Sequence, residues 1–178
     1  IIINEILFNP LDNGEDYVEL YNRSGQIFDL SEIRFGYVKH SPPNPPDTSI
    51  YNISINQRLF LPKEFIVLTT TPKAIIDQYL PPNTNTFLKV NPFAALKNDE
   101  GHIFIKTDGN RLVDSFSYSE NLQFPLLIYY DGVALERINP NVNISNNTNW
   151  PSAAESVGFG TPGYLNSQYY IYTDNENE

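Results

Sequence analysis

Apolar and polar residues alternate with a period of two along much of this chain. Val18 and Leu20 interleave with Tyr17, Glu19 and Tyr21, and Ile103 and Ile105 interleave with His102 and Lys106. Such a period sends one set of side chains into a core and the other toward solvent or a covering loop. Runs rich in β-branched and aromatic residues, each bounded by turn formers, cover 1–8, 16–22, 33–39, 49–55, 64–71, 101–107, 111–119 and 133–139. They predict eight strands and an all-β domain. Asp108-Gly109-Asn110 joins two of the runs as a tight hairpin, since Gly and Asn tolerate positive φ. The period changes at 72–79, where Thr71 can cap, Pro72 sits in the first turn, Ala74, Ile75 and Ile76 follow, and Pro81-Pro82 stops further growth. These features predict one short helix; a second helical turn is expected at 92–96. Residues 40–47 carry four prolines, which remove backbone donors and predict a surface loop between strands. The acidic end, 173–178, reads as a disordered tail or linker stub, leaving 1–172 as the folded domain.

Composition narrows the function classes. With 178 residues, 40% hydrophobic and 13% aromatic, the chain has enough apolar material for one well-buried core. It has no cysteine, which excludes disulfides, thiol catalysis and Cys-ligated metal centres. The formal net charge is −10 and the sequence holds no Lys/Arg cluster, so nucleic acid is not an expected partner. No apolar run approaches the ~18 residues of a membrane span, and insertion by this domain is not expected. The sequence also lacks methionine. A longer precursor is therefore expected, with any signal or anchor outside this stretch.

Motifs for chemistry are sparse. The two histidines, His40 in the proline-rich stretch and His102 on a polar strand face, read as surface residues rather than as a triad or a metal site. Gly158-Phe159-Gly160-Thr161-Pro162-Gly163 reads as a turn, because its glycines and proline oppose the helix that would present phosphate-binding amides. Glu5, Glu19 and Glu136 sit within strands beside apolar neighbours. Two of them facing one cleft would suit a glycosidase; the expected alternative is a structural ion pair with Arg137. The segment 9–16 is the most metal-like: Asp12, Asn13, Glu15 and Asp16 are hard oxygen donors around Gly14, which suits calcium, although the spacing is not that of an EF-hand and the same residues serve turns. No other cofactor is indicated. Asn-x-Ser/Thr triplets at Asn22, Asn52, Asn143 and Asn146 are assigned no function.

Several of these pieces, taken in order, resemble the bacterial lamin tail domains. The resemblance rests on Ile3-Asn4-Glu5-Ile6-Leu7 with Asn9-Pro10, on 16–22, on Asp29-Leu30-Ser31, and on Leu61-Pro62 before the strand that holds Phe65. It continues through Leu135-Glu136-Arg137-Ile138, Asn149-Trp150, Thr161-Pro162-Gly163 and Asn166-Ser167-Gln168. It implies an immunoglobulin-like β-sandwich in which Glu5, Glu19, Arg137, Trp150, Pro162 and Asn166 are framework. Trp150 is then expected to plug one end of the core and Asn166 to bond nearby backbone. It also implies a non-catalytic interaction or spacer module of a secreted or cell-surface protein, whose partner is a protein or a surface polysaccharide. A carbohydrate-binding module using exposed aromatics and a hydrolase built on paired carboxylates are the alternatives.

Overall fold

The computed structural model describes residues 1–41, 43–142 and 147–170. It is predominantly β. A five-stranded sheet has the order β11-β1-β2-β7-β8, built from β1 (Ile2–Leu7), β2 (Tyr17–Tyr21), β7 (Phe65–Thr69), β8 (Phe87–Lys89) and β11 (Leu135–Glu136). A four-stranded sheet has the order β10-β9-β4-β5, with β4 (Ile33–Ser41), β5 (Asn44–Asn52), β9 (Glu100–Thr107) and β10 (Leu112–Ser119). A small ribbon pairs β3 (Phe28–Asp29) with β6 (Leu59–Phe60).

The main core lies between the two sheets. It takes Ile3, Ile6, Val18, Leu20, Ile66 and Leu68 from one sheet and Phe35, Ile103, Ile105 and Phe116 from the other. Trp150 is fully buried there, stacked on Phe116 with ring centroids 3.8 Å apart. The opposite face of the five-stranded sheet is covered as well. There Leu7, Tyr17 and Val67 pack against Ile75 and Tyr79 of α1 (Pro72–Tyr79) and against Ala134 and Ala153. Two covered faces explain why β1, β2 and β7 are nearly solid runs of buried residues.

The helix occupies the predicted residues and ends at Leu80, which adopts the left-handed conformation (φ 48°) before the proline pair. Thr71 does not cap it by a side-chain bond; its hydroxyl donates to the Glu15 carboxylate at 2.8 Å instead. Three expectations need correction. Residues 40–47 are not an irregular loop: β4 runs to Ser41 and β5 begins at Asn44, so Pro45 and Pro46 lie in a strand. The prolines are tolerated because β5 is an edge strand and its register with β4 shifts between Lys39 and Ser41, which leaves Pro45 and Pro46 within an irregularity of the ladder. Residues 92–96 form no helical turn, and the 133–139 run yields only the two-residue β11. Pro42 and the tail 173–178 lie outside the described residues. Among the described residues no helix is long and apolar enough to cross a membrane.

Candidate functional site

Period-two placement and strand register bring three glutamates side by side. Glu5 of β1 is directly opposite Glu19 of β2 on one side and Glu136 of β11 on the other. The register of β1 shifts between Ile3 and Glu5, which makes Asn4 the extra residue of a bulge beside them. All three carboxylates are completely buried. Residues 150–168 cover them, as a strap rooted in the core by Trp150 and held to the sheet by Glu136 N–H to Pro151 C=O (2.9 Å) and Ala153 N–H to Ala134 C=O (2.8 Å).

Each of the six carboxylate oxygens meets a partner from the chain itself. Tyr17 Oη (2.7 Å) and the Thr161 amide (2.8 Å) donate to Glu5 Oε1. Asn4 Nδ2 donates to Glu19 Oε1 (2.8 Å), and the Gly163 amide to Glu19 Oε2 (2.6 Å). Thr161 Oγ1 lies 2.7 Å from Glu136 Oε1, while Ser167 Oγ (2.7 Å) and the Gln168 amide (2.9 Å) donate to Glu136 Oε2. Thr161 Oγ1 is also 3.2 Å from Glu5 Oε2. One hydroxyl hydrogen serves only one acceptor, so both contacts are hydrogen bonds when Glu5 is protonated at Oε2 and donates to Thr161.

The electrostatics agree with that proton placement. Burial, and after it the Glu136 charge, push the Glu5 carboxyl up to about 8 against the bonds from Thr161 and Tyr17. Burial and the Glu5 charge likewise hold Glu19 well above the usual carboxylate range. Among the described residues no cation is paired with Glu5 or Glu19, so nothing offsets the cost of burying their charge and both favour the protonated form. Gly160 fits where the strap crosses the sheet because a Cβ there would run into the ring of Tyr79 and crowd the Tyr17 hydroxyl.

This arrangement corrects the expected ion pair. Arg137 turns away from the glutamates: its Nη2 is 3.3 Å from Asp114 Oδ2, and its guanidinium carbon lies 5.1 Å from the centre of the Trp150 ring. Asp114 also accepts from the Ile3 amide (2.7 Å), so the pair ties β10 to β1 across the seam between the sheets. Asn166 bonds backbone as expected, but backbone distant in sequence, donating to Asn4 C=O (3.0 Å) and Arg137 C=O (2.9 Å). Pro162 is buried within the strap between Thr161 and Gly163. The glycine-rich turn does use its amides on carboxyl oxygens, but those of the chain's own Glu5 and Glu19.

No protein-family model matches this chain, and no curated protein matches it significantly.

The calcium candidates are spread over different partners. Glu15 accepts from the hydroxyls of Thr70 (2.7 Å) and Thr71 (2.8 Å), and Asp16 Oδ2 accepts from the Leu96 amide (2.8 Å). Asp12 and Asn13 are exposed, and among the described residues no group of three or more His, Cys, Asp or Glu side chains is placed to hold a metal. Calcium bound by all four residues would have to break those bonds. Asn22 Nδ2 is consumed by three carbonyls, those of Gln26, Phe60 and Leu61, whereas Asn52 is exposed on β5. Asn143, Asn146 and the His40 side chain lie outside the described residues. His102 is on the outer strand face, its Nδ1 2.8 Å from Ser117 Oγ.

Proposed function

We propose that this chain is a non-catalytic interaction and spacer module of a secreted or cell-surface protein, an immunoglobulin-like sandwich of the lamin tail kind. One observation carries the reading. The carboxylates that would make the best catalytic pair are sealed from solvent, and each of their oxygens is bonded within the fold, most of them to the strap and the rest to Asn4 and Tyr17 of the sheet. A general acid or nucleophile must reach a substrate atom, and these reach only the fold.

The same clamp gives the lamin tail resemblance a physical meaning. Asn4-Glu5, Glu19, Glu136-Arg137, Thr161-Pro162-Gly163 and Asn166-Ser167-Gln168 are scattered through the sequence but meet at one place. Motifs that form one bonded unit are expected to occur together, which supports reading them as a set. The test is an assay of the folded protein against polysaccharide, peptide and ester substrates, alongside Glu5→Gln and Glu19→Gln. No turnover is expected from any of the three. A rate present in the unaltered protein and lost in either variant would overturn the reading.

A further inference from the structure

The outer face of the four-stranded sheet has a composition unlike the rest of this acidic chain. Its first row of cross-strand neighbours runs Asn52, Arg34, Lys106, Leu112. Arg34 and Lys106 are thus directly opposite each other, an arrangement of like charges that destabilises a sheet. Among the described residues neither is in an ion pair; Arg34 Nη1 donates to the Ser31 carbonyl (2.6 Å) and Lys106 Nζ to Asn110 Oδ1 (2.6 Å).

The second row runs Ile50, Gly36, Phe104, Ser115. A Cβ on Gly36 would fall inside the distal half of the Phe104 ring, so the ring reaches across to the neighbouring strand and lies along the sheet. The third row runs Thr48, Val38, His102, Ser117 and adds hydroxyls beside the ring. No carboxylate occurs in the three rows, although the chain has 21 Asp and Glu residues and a net charge of −10. Acidic residues flank the rows, at Asp47 beside Thr48 on β5, at Glu100, and at Glu32 and Asp108 near the hairpin.

Resting on the reading of the chain as an interaction module, we propose that this face binds an acidic polysaccharide, a uronate-bearing glycan chain, with Phe104 as the platform for a sugar ring. The π face attracts the weakly positive C–H hydrogens of a pyranose, and Arg34 with Lys106 supplies the charge that a uronate carboxylate neutralises. Thr48, Asn52, Ser115 and Ser117 offer short donors and acceptors for ring hydroxyls. Size favours a glycan over a protein. Four strands by three rows span about 14 Å by 14 Å, roughly 200 Å², whereas a stable protein interface needs about 800 Å² per partner.

The experiment is affinity electrophoresis and calorimetry of the chain with a soluble polyuronate, an uncharged glucan, single-stranded DNA and polyglutamate, with polymer length followed in parallel. Binding to the polyuronate is expected in preference to the other three, and it should weaken in about 1 M salt, where the Debye length is roughly 3 Å. Arg34→Gln with Lys106→Gln should lower affinity at least about tenfold without unfolding. Phe104→Ala should lower it as well; if that variant does not fold, the double variant decides. No polyuronate binding, equal binding to DNA or polyglutamate, or affinity unchanged in the double variant would overturn the assignment to this face. None of those results touches the non-catalytic reading, which fails instead if the polymer is shortened.

Discussion

Each sheet turns one face to the shared core, and the two remaining faces are treated in opposite ways. On the five-stranded sheet three glutamates are buried under a strap that, together with Asn4 and Tyr17, satisfies every oxygen. On the four-stranded sheet the outer face has no carboxylate in three rows, and two cations face each other without an acidic partner among the described residues. The contrast shows that a net charge of −10 does not describe any one surface. It also separates two uses of polar chemistry: groups fully bonded inside the fold stabilise one structure, whereas groups left short of partners outside are available to another molecule.

The largest effect should come from unrooting the strap. Trp150→Ala removes a stacked, fully buried ring and the partner of the Arg137 guanidinium, and should cost about 3–5 kcal/mol. Denaturant unfolding measures it, and a loss below about 1 kcal/mol would mean the strap does not depend on its root. Thr161→Val removes the single hydroxyl between two carboxyls while keeping shape. A loss of about 1–3 kcal/mol is expected from the stranded acceptors.

Third comes pH. A carboxyl whose folded pKa is raised holds its proton more tightly in the folded state, so its contribution is complete below the unfolded value and is lost as pH rises through the folded one. For Glu5 that window runs from 4.5 to about 8, with a total on the order of a few kcal/mol. Glu19 acts in the same direction, as does Asp16, which burial raises to about 7 against the Leu96 amide. Melting temperature should therefore fall between pH 5 and pH 8. Glu5→Gln, which keeps the neutral form, should flatten part of the slope; an unaltered slope would remove Glu5 as a proton holder.

The smallest effect belongs to the open face. Arg34→Gln with Lys106→Gln should change stability by no more than about 0.5–1 kcal/mol, in the stabilising direction, because it relieves two like charges. A clear destabilisation on thermal melting would show that the bonds of Arg34 to Ser31 and of Lys106 to Asn110 outweigh the repulsion between the two cations, and would erase the contrast between the faces.

Much of the architecture was legible in the sequence. The alternation in β2 and β9, the hairpin at Asp108-Gly109-Asn110 and the helix from Pro72 to Tyr79 each follow from local rules that the tertiary structure does not override. The strand character of the proline-rich stretch cannot be seen along one strand, because it depends on the edge position of β5 in the order β10-β9-β4-β5 and on the register shift opposite Pro45 and Pro46. The glutamates were noticed singly, each flanked by apolar residues, but their meeting depends on registers that span more than a hundred residues. Arg137 is adjacent to Glu136 in sequence, and strand alternation sends the two side chains to opposite faces. The open face was hidden for the same reason, since Arg34 and Lys106 become neighbours only through the β4–β9 register.

The difference between the two faces can be read most directly by following backbone amide resonances while a soluble polyuronate is titrated in. The account predicts shifts concentrated at Arg34, Gly36, His102, Phe104 and Ser117, with Thr161, Gly163 and Ser167 unmoved. Shifts centred on the strap, or none at saturating polymer, would contradict it.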